Sequence, residues 1–156
     1  MKRLTPSEVA LRLAVPWSEN TLAHSNIIAS GRDTGRVIAG EILEAAIQWH
    51  DHVLLFVTDG IPLEDGLNIY LFDARWTLMD SVQLGAMYAT GAFSSLEFFP
   101  PNHLRFQFIG GITWTLELLD RPVAALPFCD PTGVSRPFRL FKRFKIDGRP
   151  LPATGA

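Results

Sequence analysis

The sequence contains almost no cysteine and no long hydrophobic run, and each absence excludes a class of protein. Cys129 is the only cysteine among 156 residues, so no disulfide can form within the chain. Glu8 and Arg12 interrupt the apolar stretch that a secretion signal starting at Met1 would need. Apolar runs such as residues 53–57 are far shorter than the ~20 residues that cross a bilayer. We therefore expect a soluble, cytoplasmic protein without membrane contact.

Signatures of the common catalytic folds are also missing. The glycine-rich fragments match neither the phosphate-binding P-loop nor the dinucleotide fingerprint, and there is no Gly-x-Ser-x-Gly elbow. The surroundings of Cys129 are rich in proline and apolar residues, which favours a buried, unreactive thiol. Acyl, phosphoryl and hydride transfer thus lack an evident starting residue. We expect no catalysis and no cofactor.

Aromatic residues, glycine and proline are plentiful. With 11 Phe and 4 Trp, and 47% hydrophobic residues overall, the chain is not disordered and can bury a sizeable core. The 12 Gly and 11 Pro punctuate it as often as short strands joined by turns require. The length is that of one domain, so we expect residues 1–156 to fold as a single unit.

From Arg36 onward, apolar and polar residues alternate with the period of two that is typical of β-strands. Turn sequences separate the runs, and Gly110-Gly111 is the strongest because glycine readily adopts the positive φ of a two-residue hairpin. Connections this short allow only antiparallel neighbours. The sequence predicts a mainly all-β fold, an antiparallel meander of about eight strands over residues 34–147 that closes like a barrel or splits into a sandwich.

Residues 1–33 predict a short helix or an arm before this β domain, and residues 148–156 a C-terminal tail. Thr5-Pro6-Ser7-Glu8 has the capping-box pattern, which favours a helix from about Pro6 to Ala14. Apolar residues also alternate from Val9 to Val15, so a strand is the alternative.

The tripeptide Asp33-Thr34-Gly35 resembles the sequence that carries the catalytic aspartate of pepsin-like and retroviral proteases. In such sites two buried carboxylates share one proton. Here Arg32 and Arg36 flank the tripeptide, and arginines on both sides indicate a solvated turn. We interpret the tripeptide as a turn, with a hydrolase using Asp33 as an alternative function.

His50-Asp51-His52 places two imidazoles on one face of an extended segment, as a metal site on strands requires. A third ligand would have to come from His24 or His103 through the fold. Polar residues at a hairpin tip explain the pattern without a ligand, so we expect no bound metal. A hydrolase with a metal held by His50 and His52 is a further alternative.

Charge is distributed unevenly along the chain. Residues 1–135 hold eight Lys or Arg and fifteen Asp or Glu, whereas residues 136–156 hold six and one. The last predicted strand carries Arg139, Phe141, Arg143 and Lys145 on one face, a pattern that single-stranded nucleic-acid grooves use. Residues 41–80 hold eight acidic residues and a single Arg, so we expect the basic face to pair with acidic surface in the molecule or on a protein partner. Nucleic-acid binding is the alternative.

Apolar residues fall on both faces of the predicted strands. If Leu55, Val57, Ile69 and Leu71 fill the interior, then Phe56, Tyr70 and Phe72 lie on the other face, where water should not meet so much apolar surface. The N-terminal arm, another subunit or a partner must cover them. We therefore interpret the chain as a non-catalytic domain that binds a protein partner or forms a homo-oligomer, through these aromatic residues and the basic strand.

Overall fold

The computed structural model describes residues 1–61, 66–85, 92–109, 112–126, 130–131, 133–137 and 139–149. In these ranges the chain forms strands and no helix. The strands are β1 (Lys2–Arg3), β2 (Val9–Val15), β3 (His24–Ala29), β4 (Arg32–Ala39), β5 (Ile42–Trp49), β6 (His52–Thr58), β7 (Leu67–Phe72), β8 (Leu78–Leu84), β9 (Ser94–Phe99), β10 (His103–Gln107), β11 (Thr113–Ala124), β12 (Val134–Ser135) and β13 (Phe141–Arg149). Accordingly, nothing in the described ranges has the helical length and hydrophobicity needed to span a membrane.

The strands build three antiparallel sheets that pack as layers. The central sheet has the order β1-β5-β6-β7-β8-β12, and the outer sheets have the orders β13-β11-β10-β9 and β2-β3-β4. One face of the central sheet packs on the four-stranded sheet in a core that includes Phe56, Phe106 and Trp114. Its other face packs on the three-stranded sheet in a second core that includes Val9, Ile27 and Leu55. The all-β prediction is confirmed as a sandwich, and the sheets do not close into a barrel.

The layered arrangement explains why apolar residues occur on both faces of the strands. A strand between two layers must be apolar on both sides, and β6 is buried at every position after His52. The assignment of faces was partly wrong, because β6 and β7 pair Leu55 with Tyr70 and Phe56 with Ile69. Leu55 therefore lies on the side of Tyr70, and residues of the N-terminal sheet cover that side.

The predicted N-terminal helix is wrong, although its capping interactions form. The Thr5 N–H donates to the Glu8 carboxylate over 2.9 Å, and the Val9 N–H donates to the Thr5 carbonyl over 3.0 Å. The chain then leaves this single turn and pairs with β3 from Val9 onward. The alternation of residues 9–15 outweighs the helical start because one face of β2 completes the second core.

Several predictions fall outside the described residues: the Gly110-Gly111 turn, Cys129, and residues 150–156 of the tail. The strands on either side of the glycine pair form a hairpin, in which Gln107 pairs with Thr113.

Candidate functional site

Asp33 lies on an exposed, irregular part of β4 and not in a cleft. The β3–β4 register shifts here, and Gly35 has a φ of 77°. The Asp33 carboxylate accepts hydrogen bonds from the Gly35 amide over 2.8 Å, from the Asn26 side chain over 2.9 Å and from the Arg12 guanidinium over 2.6 Å. These contacts, led by the Gly35 amide, hold the pKa of Asp33 below its ordinary value. The Asp33 carboxylate is therefore ionised, and the tripeptide forms a bulge of β4. It does not share a proton with a second carboxylate, as the catalytic aspartate of a protease does.

His50 and His52 lie at the β5–β6 turn, where the ring centroids of both lie near that of Trp49, at 4.5 and 5.9 Å. Trp49 pairs with His52 across the turn, and His50 has a φ of 51° and is exposed. The His52 ring is half-buried, with its Nε2 3.4 Å from Arg143 Nη2. Among the described residues, no three His, Cys, Asp or Glu side chains are grouped as metal ligands would be.

The pKa of His52 lies below its ordinary value because of burial and, next, the positive charge of Arg143. Protons then bind the unfolded chain more readily than the folded one, so stability falls as the pH drops below about 6.5, the ordinary pKa of histidine. We expect urea unfolding midpoints to decrease between neutral and mildly acidic pH. His52→Gln should reduce that dependence, and His50→Gln should reduce it much less, because His50 is the smallest of the causes that shift the His52 pKa. An identical pH dependence in the His52→Gln variant would exclude this role.

The basic residues near the end of the chain do not form one free surface. Lys145 and Phe141 are exposed, but Arg139 and Arg143 are half-buried. The Arg139 guanidinium donates to the Met79 carbonyl over 3.3 Å, and Arg143 lies against His52. The outer face of the four-stranded sheet also carries mixed charge, because Lys145 lies opposite Glu117 on β11 and Arg105 lies opposite Glu97 on β9 in the strand register. Such a face is not the uniformly positive groove that a nucleic-acid backbone requires.

A buried ion pair that the sequence did not reveal joins this region to the central sheet. The Asp80 side chain is 0% exposed and accepts a hydrogen bond from Arg136, which is 6% exposed and also contacts Asp130. Asp80 accepts further bonds from the backbone N–H of Arg143 over 2.8 Å and of Phe144 over 3.4 Å. The pairing of β11 with β13 is interrupted close to these residues. Asp80 therefore binds the β13 backbone at the point where β11 does not.

Of the three aromatic residues predicted to bind a partner, Phe56 and Phe72 lie inside the protein and Tyr70 is partly buried. Phe56 is 0% exposed and contacts the Phe106 ring, and Phe72 is 2% exposed in the second core. The Tyr70 hydroxyl donates to the Ala39 carbonyl over 2.8 Å, and burial raises the pKa of this phenol. Phe56 and Phe72 therefore present no surface to another protein, whereas Tyr70 keeps a partly exposed side chain.

An apolar groove of about 540 Å³ lies between β2 and the edge of β5. Leu11, Leu13, Ile42 and Leu43 contribute apolar side chains to it. Leu13 and Ile42 remain 44% and 47% exposed, so the groove presents large apolar side chains to the solvent. Sequence patterns did not identify the groove, because it arises where two sheets meet.

The backbone of β5 is unpaired along this groove. β1 pairs with β5 only at Ile47 and Gln48, and the Leu4 N–H then donates to the Ala46 carbonyl over 2.8 Å. Residues 42–45 have no strand on this side within the described ranges. One side chain reaches the edge, because Arg3 Nη2 donates to the Glu44 carbonyl over 3.1 Å.

Most other sheet edges carry features that prevent pairing with another chain. The β13 edge carries Lys142, Arg143 and Lys145, and the bulge at Gly35 distorts the β4 edge. β12 is two residues long, and β9 is followed by Pro100 and Pro101. In contrast, β2 has a single charge, Arg12, among seven residues, and residues 42–46 of β5 include only Glu44. The two least protected edges thus meet at the groove.

Compared with protein-family models, with curated proteins and with solved structures, the chain matches none of them.

Proposed function

We propose that the protein is a non-catalytic binding module that takes up an extended segment of a partner protein as an added strand on β5. The observation that carries the proposal is the unpaired β5 edge beside an apolar groove. In strand addition, backbone hydrogen bonds supply affinity and pockets for alternate side chains supply specificity. The open β5 edge provides the backbone groups for hydrogen bonds, and the groove provides the pocket for side chains.

The dimensions favour a short segment. Four open residues at 3.3 Å per residue give an edge of roughly 13 Å, enough for a partner strand of about four or five residues. Alternate side chains of that strand would enter the groove toward Leu13 and Ile42, and the others would point away from it. An interface this small is at the weak end of protein association, with an expected dissociation constant in the micromolar range or above.

A partner protein fits this edge better than a second copy of the chain. Glu41 and Glu44 both line the groove, so pairing two copies along β5 would gather four carboxylates at one seam. Like charges brought together in this way oppose association. A homodimer through this edge is therefore an outcome that the experiment must detect, and we expect the isolated protein to be monomeric at micromolar concentration.

A displayed library of random peptides of roughly twelve residues tests the proposal. We expect the immobilised protein to enrich peptides in which apolar residues alternate with polar ones. Binding of the enriched peptides should fall roughly tenfold or more in Leu13→Arg and Ile42→Arg, because each replacement puts a charge into the groove. Both positions are about half exposed, so the variants should fold normally.

Val37→Arg is the matched control, because Val37 is 56% exposed and is not among the residues that line the groove. It should leave peptide binding unchanged. Equal loss in all three variants, or enrichment of peptides without alternation, would refute strand addition at β5. Concentration-dependent dimerisation that Ile42→Arg abolishes would assign the edge to a second copy.

A further inference from the structure

The charged residues of the groove are few and unequal in sign. Glu41, Glu44 and Arg3 line it, and its other lining residues are uncharged. The Thr58 hydroxyl donates to the Glu44 carboxylate over 3.0 Å. Two acidic residues, Glu41 and Glu44, thus outnumber Arg3 along the groove.

Arg3 occupies the position that an incoming strand would need. Its Nη2 donates to the Glu44 carbonyl, which is part of the open edge. A docked strand would offer a backbone N–H to carbonyls of this edge, so it competes with the arginine for the Glu44 oxygen. Arg3 is itself exposed, and no carboxylate forms an ion pair with it among the described residues. Its contact with Glu44 is therefore a surface interaction that a partner can replace at little cost.

We propose that the strand taken up at β5 is cationic, with lysine or arginine alternating with apolar residues, and that Arg3 competes with it for the same edge. The inference rests on the proposed function and adds the chemistry of the partner. Glu41 and Glu44 favour a positive strand through charge complementarity, and this preference weakens as salt screens the charges. Arg3 opposes such a strand twice, by its positive charge and by its hold on the Glu44 carbonyl.

Three synthetic peptides test this inference. In each, valine alternates with one polar residue, which is lysine in the first peptide, serine in the second and glutamate in the third. Fluorescence anisotropy at about 0.15 M salt measures their binding to the full chain. We expect the lysine peptide to bind roughly tenfold more tightly than the glutamate peptide, with serine between them. The double variant Glu41→Gln/Glu44→Gln should remove most of that difference.

Arg3→Ala should tighten binding of the lysine peptide roughly three- to tenfold, because it frees the Glu44 carbonyl and removes a like charge. Lys2→Ala is the matched control. It removes the same charge from the neighbouring residue, whose ammonium contacts Glu8 over 3.1 Å and not the β5 edge. We expect a much smaller change in this variant.

The outcomes separate the inference from the function on which it rests. Equal binding of all three peptides, lost in Ile42→Arg, would leave strand addition standing and overturn the cationic preference. Weaker binding of the lysine peptide to Arg3→Ala would overturn the competition, since Arg3 would then help to hold the strand. Failure of all three peptides to bind would count against both proposals.

Discussion

Asp80→Ala should lower the free energy of unfolding by about 3–5 kcal/mol, the cost of breaking a buried ion pair by removing one partner. The Asp80 carboxylate is fully buried and bonds the Arg136 guanidinium and the backbone N–H groups of Ser81, Arg143 and Phe144. Without it, a guanidinium that is 6% exposed keeps hydrogen bonds to Asp130 and to the Phe144 carbonyl but loses its fully buried anionic partner. Urea unfolding followed by tryptophan fluorescence measures the effect.

Asp33→Ala is the control for this measurement. Asp33 also pairs with an arginine, but on the surface, where the side chains of Arg12 and Asp33 are 62% and 36% exposed. Such pairs contribute about 0–1 kcal/mol. Equal losses in the two variants would show that Asp80 does not fasten β13 to the central sheet. The Asp33→Ala variant also tests the role of the Asp33-Thr34-Gly35 tripeptide. A catalytic Asp33 would be required for the function of the protein, whereas a residue that only forms a bulge would not.

Trp114→Ala should lower the free energy of unfolding by about 3–5 kcal/mol, the usual range for removing a large aromatic side chain from a core. Trp114 is 2% exposed, and its indole N–H donates to the Phe108 carbonyl over 3.0 Å. The ring lies directly against the backbone of Gly148 on β13, where a Cβ atom would overlap it. Removing the indole therefore leaves a cavity between β11 and β13 and an unpaired carbonyl.

Trp17→Ala is the matched control, because Trp17 is 47% exposed and its loss should change stability by no more than about 0.5 kcal/mol. Unfolding followed by circular dichroism avoids the change in fluorescence that both variants cause. A Trp114→Ala variant as stable as Trp17→Ala would contradict the packing of the four-stranded sheet on the central one.

The sequence predicted most strands after Arg36 because their signals are local, but β1, β2 and β3 lie in the segment predicted to be a helix or arm. Alternation identified the hairpin of β5 and β6, and the Gly-Gly pair marked the connection of β10 and β11. The continuous apolar run at residues 53–57 also contained the information that β6 is covered on both sides. The sheet that covers the second side of β6 is built from β2, β3 and β4, and its first two strands lie in the segment predicted to be a helix or arm.

The faces and the candidate site could not be predicted in the same way. A shift of one residue in register exchanges the two faces of a strand, and registers here shift at bulges that the sequence does not mark. Asp80 and Arg136 are 56 residues apart, so no local pattern connects them. The groove depends on β1 being too short to cover β5, which is a property of the assembled sheets.

Amide hydrogen exchange along β5 tests the proposed function most directly. With a library-selected peptide bound, we expect exchange to slow roughly tenfold or more at those amides of residues 42–45 that point away from β6, because strand addition gives these open edge amides a hydrogen-bond partner. The amides of β13, which belong to another sheet edge, should exchange at an unchanged rate. Protection confined to β13, or binding without protection of residues 42–45, would show that the partner does not add a strand to β5.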